Sequence, residues 1–201
     1  MKTIVAVATT LVVVVTFVSG CISYSTLQTP DTLPPGKVAG GVGASFIHGG
    51  TMLEAGGRVG VARNFDIGLK YSIPRLFFAD AKFCFTDHPL VVSGDLGVST
   101  FANAWSENDN ASGSTTGIYP MILVGQKHWY AGVKENYLST SGSLDLFGRV
   151  NYSGSGWLGP SVLFGLWLGG DDVRLLAEVN MFFFRGMDTF VVPALGFQFR
   201  L

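Results

Sequence analysis

The chain has 201 residues, of which 48% are hydrophobic and only 13% are charged, and its formal net charge is −1. This composition excludes a disordered protein, which needs low hydrophobicity and a high net charge. It also argues against a partner made of nucleic acid, because the sequence has no cluster of Lys and Arg side chains. The length predicts one domain with at most a small extra piece.

The first twenty residues have the pattern of an export signal. Lys2 precedes an apolar run over residues 4–18, which is too short for a comfortable transmembrane helix. The run ends in Val18-Ser19-Gly20-Cys21, which resembles a bacterial lipobox. The resemblance implies acylation of Cys21 and cleavage before it, and two or three acyl chains give stable membrane anchoring. The alternative is an ordinary secretory signal, which leaves a free thiol at Cys21.

Residues 21–36 are predicted to be a lipidated tether between the membrane and the folded domain. The stretch is polar, and Pro30, Pro34 and Pro35 exclude a central strand or a helix interior. Ile22 stands where Asp is associated with retention in the inner membrane, which favours the outer membrane. The second cysteine, Cys84, has no partner if Cys21 carries lipid, so we expect neither a disulfide framework nor a zinc site.

From residue 37 to residue 201 the hydrophobic pattern has a period of two, which is typical of β-strands. Over residues 65–73, for example, five apolar side chains alternate with Asp66, Gly68, Lys70 and Ser72. Turn residues divide the pattern into ten predicted strands. These are residues 37–48, 51–62, 65–73, 76–86, 89–101, 116–126, 128–138, 156–168, 173–184 and 189–200. Eight and twelve strands are the alternatives, because weak segments could merge and residues 144–152 could either extend a hairpin or add strands.

The connectors predict how the strands sit in a membrane. Two are long, residues 102–115 and 139–155, and both are odd-numbered, so they lie at the same end. The even-numbered connectors are short. Long loops outside and tight turns in the periplasm are typical of outer-membrane barrels, and both chain ends would then lie in the periplasm.

The faces of the strands favour a membrane barrel over a soluble one. Charged residues lie in mid-strand on one face, and the other face is broad, apolar and aromatic. In a membrane barrel the apolar face contacts lipid, whereas in a soluble barrel it faces inward. Interfacial aromatic girdles are predicted to include Tyr71, Tyr119, Trp129, Tyr130, Trp157 and Trp167.

Residues 21–201 therefore resemble a small outer-membrane β-barrel lipoprotein of Gram-negative bacteria. The last strand, with Phe197 and Phe199, resembles the C-terminal signal that the barrel-assembly machinery reads, although such signals usually end in an aromatic residue and this chain ends in Leu201. The resemblance implies an all-β, antiparallel, up-and-down transmembrane barrel over residues 37–201. It also implies an outer-membrane location, and membrane lipid and the assembly machinery as partners.

The inward face carries acids and bases in near balance, which predicts mutual pairing, since an unpaired charge in a narrow interior costs several kcal/mol. This lumen-facing charge network consists of Glu54, Arg58, Asp66, Lys70, Asp80, Lys82, Asp95, Lys134, Arg174, Glu178 and Arg200. It favours a plugged, structural interior, with a narrow porin-like pore as the alternative. The first strand is predicted to face inward with Ala39, Gly41, Gly43 and Ser45, which could leave a groove for a ligand or for the tether.

No catalytic residues can be assembled from the sequence. Omptin proteases use a His–Asp pair at the outer rim and lipid A deacylases a His-x-Ser pattern, but none of His48, His88 and His128 begins that pattern. We therefore expect no catalysis, no cofactor and no metal site, and a structural, surface-binding or narrow-pore role. A lipid-anchored, soluble, lipocalin-like barrel with an apolar ligand is one alternative, and a small outer-membrane barrel hydrolase is another.

Overall fold

The computed structural model describes residues 25–47, 50–73, 76–103, 113–146, 150–186 and 188–201. Within these residues ten antiparallel strands pair in chain order, and β1 pairs with β10 to close the barrel. The strands are β1 (Val38–Ile47), β2 (Gly50–Ala62), β3 (Phe65–Ile73), β4 (Leu76–Thr86), β5 (Val91–Asn103), β6 (Gly113–Gln126), β7 (Trp129–Leu146), β8 (Val150–Gly169), β9 (Val173–Phe182) and β10 (Phe190–Arg200). The predicted all-β, ten-stranded, antiparallel barrel is confirmed, and the alternatives of eight and twelve strands are wrong. No helix of the described residues is long and apolar enough to cross a membrane.

The barrel has two rims that differ in their connectors. The lower rim holds the start of β1, the end of β10 and the short connectors 63–64, 87–90, 127–128 and 170–172. The upper rim holds the other five connectors. The odd-numbered connectors share one rim, as predicted. Of the long connector predicted over residues 102–115, the two ends belong to β5 and β6, and residues 104–112 lie outside the described residues.

The predicted long connector over residues 139–155 is wrong, because β7 and β8 run on as a paired hairpin of 18 and 20 residues. Pairing resumes after a register shift and continues to Leu146 opposite Val150. The Ser- and Gly-rich composition resembles a loop, but these residues also pair well in an antiparallel ladder. The alternative in which residues 144–152 extend a hairpin is the correct one.

Apolar side chains cover the outside of the barrel, and polar ones lie within it. Leu69, Leu168 and Ile122 are 70%, 66% and 61% exposed, whereas Asp66 and Lys82 are 0% and 1% exposed. Because alternate residues of a strand point to opposite faces, each strand contributes to both surfaces. A water-soluble barrel has the opposite distribution.

The predicted position in the interfacial girdles is wrong for three aromatic residues. Tyr119, Tyr130 and Trp167 are 5%, 0% and 8% exposed, and they lie inside the barrel. Tyr119 and Tyr130 occupy the space above Gly97 and Gly165, where an added Cβ would overlap their rings. Each ring fills space that the glycine on the neighbouring strand leaves open.

Candidate functional site

Residues 25–36, here called the N-terminal segment, lie inside the barrel. The segment enters at the lower rim, where Gly36 N–H donates to the Gly60 carbonyl over 2.8 Å and Gly60 N–H donates to the Lys37 carbonyl over 2.9 Å. Its other end, Ser25, is 0% exposed. The stretch predicted as a tether therefore places its described residues in the lumen.

Near the lower rim the segment is held by cations. The carboxylate of Asp31 lies 2.6 Å from Arg200 Nη2 and 3.2 Å from Arg174 Nη1. Lys82 Nζ donates to the main-chain carbonyls of Thr29 and Asp31, each over 2.8 Å. The barrel wall therefore binds both the Asp31 carboxylate and the main-chain carbonyls of the segment.

Lys82 also belongs to an ionic cluster with Arg58, Asp66 and Asp80. Arg58 Nη2 lies 2.5 Å from Asp66 and 2.6 Å from Asp80, and Lys82 Nζ lies 3.8 Å from Asp66. The second oxygen of Asp66 accepts from the Leu33 N–H over 3.0 Å. The cluster therefore joins β2, β3 and β4 to each other and to the segment.

Gln28 connects this cluster to β5. Its amide oxygen accepts from Arg58 Nη1 over 2.6 Å, and its amide nitrogen donates to Asp95 Oδ2 over 2.5 Å. An amide has both a donor and an acceptor, so one side chain serves a cation and an anion together.

Glu178, in the middle of β9, binds the segment backbone. Its carboxylate accepts from the N–H groups of Thr26 and Leu27 over 2.7 and 3.0 Å, and it also accepts from the Thr26 hydroxyl. Tyr130 and Asn180 donate to the same carboxylate over 2.8 and 2.7 Å. A carboxylate offers about four lone-pair sites, so the segment and the wall share its accepting capacity.

The upper end of the segment meets a fourth group around Glu54. The hydroxyls of Ser25 and Ser45 donate to Glu54 over 2.6 and 2.7 Å. Lys70 Nζ lies 3.0 Å from Glu54 and donates to the Ser25 carbonyl over 2.6 Å. Ser25 thus lies near the upper ends of β1 and β3, at the level of Ser45 and Lys70.

Glycines on the inner face make room for the segment. A Cβ on Gly60 would overlap the carbonyl oxygens of Leu33 and Pro34, and a Cβ on Gly43 would overlap the side chain of Leu27. The predicted groove along the inward residues of β1 is therefore occupied by the chain itself, and a cavity of about 80 Å³ remains between the two.

The opposite wall fills its part of the lumen with its own side chains. These side chains form an apolar cluster, against which Leu27 of the segment packs. Farther up, Lys134 Nζ lies 5.8 Å and 5.3 Å from the ring centroids of Tyr119 and Phe182. The buried residues of the cluster are Met121, Leu123, Tyr130, Leu163, Trp167 and Leu176.

All eleven side chains of the predicted charge network are buried or half-buried. Arg58, Asp66, Asp80 and Lys82 come together in the ionic cluster, and Lys70 pairs with Glu54. The remaining members meet the segment or aromatic rings; they are Asp95, Lys134, Arg174, Glu178 and Arg200. Sequence reasoning missed the polar groups of the segment, above all Gln28 and Asp31, and the small inward residues of β1 were the signal that pointed to them.

In the part of the chain that the structure describes, no group of three or more His, Cys, Asp or Glu side chains could hold a metal ion. His88 and His128 lie in lower-rim connectors. His48, like Cys21, lies outside the described residues. Cys84 is a buried free thiol.

No protein-family model matches this chain, and no curated protein matches it. Among solved structures, the chain is similar to the N-terminal β-barrel domain of Pseudomonas aeruginosa OprF, with 8% sequence identity and a TM-score of 0.38. The match covers 84% of this chain and 100% of that one. By fold the chain is a closed, ten-stranded, antiparallel β-barrel.

Proposed function

We propose that this protein is an outer-membrane lipoprotein with a structural role, a barrel whose own N-terminal segment closes its lumen to solutes. The observation that carries the proposal is the hold on the segment by Glu178, Asp66 and Lys82, which bind its backbone and not only its side chains. Backbone contacts at several heights make the segment part of the fold. A solute pathway would need these contacts to break together.

The membrane location is supported by the outer face. A transmembrane barrel needs an outward apolar band, because lipid cannot solvate charge. Exposed apolar residues occur on all ten strands, for example Val42 on β1, Leu69 on β3 and Phe197 on β10. The soluble lipocalin-like alternative would expose this entire surface to water.

The lipid anchor is supported by the sequence alone. The motif Val18-Ser19-Gly20-Cys21 follows a short apolar run, and Cys21 lies four residues before the first described residue. Acylation at Cys21 would add a second attachment to a domain already embedded by its strands.

The experiment that tests the embedded barrel compares two outward positions. Leu69→Arg lies at the middle of β3 and is expected to cost about 2–4 kcal/mol in a bilayer, and Val38→Arg at the lower rim about 0–1 kcal/mol. Stability is measured by the mobility shift between boiled and unboiled outer-membrane fractions. Equal tolerance of the two variants, with release of Cys21→Ala protein into the soluble fraction, would support the soluble barrel instead.

The closed lumen and the lipid are tested separately. Purified protein in planar bilayers is expected to give no stepwise conductance, and steady conductance steps would favour the narrow-pore role. Metabolic labelling with a fatty acid is expected to mark the protein and to be lost in Cys21→Ala. Labelling that persists in Cys21→Ala would contradict acylation at that residue.

A further inference from the structure

We propose that the chain threads the barrel from the lower to the upper rim, so that its mature N-terminus and the acyl chains on Cys21 emerge at the outer surface of the cell. The lipid would then enter the outer leaflet. Two elements of this proposal rest on the proposed function: the acylation of Cys21 and the position of the upper rim at the cell surface. The threading itself rests on the contacts of the described segment.

The order of those contacts gives the direction of the chain. Gly36 bonds to Gly60 at the lower rim, and Asp31 meets Arg200, the last residue of β10. Thr26 reaches Glu178 in the middle of β9. Ser25 shares Glu54 with Ser45, two residues before β1 ends at Ile47. Traced backward, the chain climbs through most of the barrel.

Cys21 is separated from Ser25 by only four steps along the sequence, which limits how far the chain can run back. Four extended residues span at most about 14 Å. The seven residues of β1 between Ser45 and Val38 rise about 23 Å along the strand. With the strand tilt of 35–45° usual in barrels, this leaves about 18 Å along the barrel axis. The chain before Ser25 therefore cannot carry Cys21 back to the periplasmic opening.

The same length does reach the upper rim. From Ser45 the end of β1 is two residues away, or about 7 Å along the strand. Buried apolar side chains line the inside at this height, among them Met52, Phe78 and Leu138.

Beside the segment lies a cavity of about 80 Å³, lined by Thr26, Gly41 and Gly56 among others, which has room for a few water molecules but not for a returning stretch of chain. Ten strands leave little free lumen once side chains fill it. The carboxylates that face the lower half, Asp66 and Glu178, already accept bonds from the segment. On the glycine side the segment lies so close that a single methyl group on Gly60 would overlap it.

The test places a short charged epitope after Ile22 in the full-length chain, which leaves the lipobox intact. Intact cells and cells with a permeabilised outer membrane are probed with an antibody to the epitope. The control carries the same epitope between Gly170 and Asp171 in a lower-rim connector. The boiled-against-unboiled mobility shift shows whether each variant forms its barrel.

We expect the epitope after Ile22 to bind antibody equally in intact and permeabilised cells, and the control to bind only after permeabilisation. Binding of the first variant only after permeabilisation would overturn the threading. If the insertion abolishes the mobility shift, Ile22→Cys combined with Cys84→Ser replaces it, with a membrane-impermeant maleimide as the probe. Labelling of intact cells would support the proposal, and labelling only after permeabilisation or denaturation would overturn it.

This test separates failure of the threading from failure of the proposed function. Loss of the mobility shift in the unmodified protein would contradict the embedded barrel, whatever side the N-terminus takes. Absence of fatty-acid labelling would remove the lipid but leave the side of the N-terminus measurable. An epitope that stays periplasmic on a folded, acylated barrel would contradict the threading alone.

Discussion

On one side of the lumen, β1 to β3 carry glycines at inward positions and the N-terminal segment lies against them, whereas on the other side β6 to β9 fill the space themselves. The first side, here called the glycine wall, includes Gly43, Gly60 and Gly68. The second, here called the side-chain wall, includes Tyr130, Leu163 and Leu176. The comparison shows that a narrow barrel can be filled either by its strands or by another part of its own chain.

The two walls also differ in what holds them together. The glycine wall meets the segment mainly through charges and hydrogen bonds, with Arg58, Lys70 and Glu54 at the centre. The side-chain wall adds apolar contact, since Leu27 of the segment packs against its buried cluster, beside the polar contacts that Glu178 and Arg174 of β9 make. Ionic contacts in a buried site depend strongly on every partner being present. Apolar contacts lose stability in proportion to the volume removed.

The largest effect is expected at the ionic cluster. Arg58→Met removes the cation that faces both Asp66 and Asp80, and breaking such a buried pair costs about 3–5 kcal/mol. Arg63→Met, on an exposed lower-rim residue of the same charge, serves as the control. Urea unfolding in detergent micelles measures both. Equal midpoints for the two variants would contradict the structural role of the cluster.

The side-chain wall should respond to loss of volume. Leu163→Ala, at a residue 1% exposed, is expected to cost about 2–4 kcal/mol, because Leu-to-Ala changes in cores leave cavities. Leu166→Ala on the outer face of the same strand, 48% exposed, should cost clearly less. The same unfolding assay decides, and a larger loss at Leu166 would show that the inward and outward faces are reversed.

The glycine wall should instead respond to added volume. A methyl group in Gly60→Ala overlaps the segment backbone, and overpacking of this kind costs about 1–3 kcal/mol. Gly40→Ala is the matched control, because its Cβ would lie 3.9 Å from its nearest neighbour, the Gly56 carbonyl oxygen. Thermal unfolding followed by Trp fluorescence compares them. If Gly60→Ala is as stable as Gly40→Ala, the segment does not lie against this wall.

The smallest effect is expected at the lower rim. Asp31→Asn weakens the pairs with Arg174 and Arg200. Bonds to charged groups contribute about 1.5–3 kcal/mol, and the effect falls toward the lower value here because the Asp31 side chain is 31% exposed to water. Asp171 also faces Arg174, at 3.4 Å, but its side chain is 98% exposed, so Asp171→Asn should leave stability unchanged. Proteolysis of the segment under native conditions measures its release. Faster cleavage in Asp171→Asn than in Asp31→Asn would contradict the assignment.

Much of the fold could be predicted because its signals are local. Alternation and turn residues predict β3 and β4 with the bounds that the structure has. This works because the polar and apolar residues of each strand alternate along its own sequence. The upper ends of β7 and β8 could not be predicted, because Ser, Thr and Gly form loops and exposed ladders equally well. Tyr119 and Tyr130 point inward because glycines on the neighbouring strands leave space for their rings. The residue type of a tyrosine alone does not reveal that space.

Local sequence patterns could not predict that the N-terminal segment occupies the lumen. The segment has no periodicity, and its prolines indicate only that it is neither helix nor strand. Its partners lie far along the chain, as in the bonds from Thr26 to Glu178 and from Ser25 to Glu54. Only the small inward residues of β1 signalled that something must fill that side.

The most direct test of the occupied lumen is amide hydrogen exchange of the folded, full-length protein in micelles. The N–H groups of Thr26, Leu27 and Leu33 donate to carboxylates inside the barrel, so they should exchange as slowly as the amides of β2 and β9. The amides of Asp171 and Asp188, in connectors, should exchange fast and serve as the reference. Exchange of the three segment amides at the reference rate would show that the segment lies outside the barrel and would contradict the account.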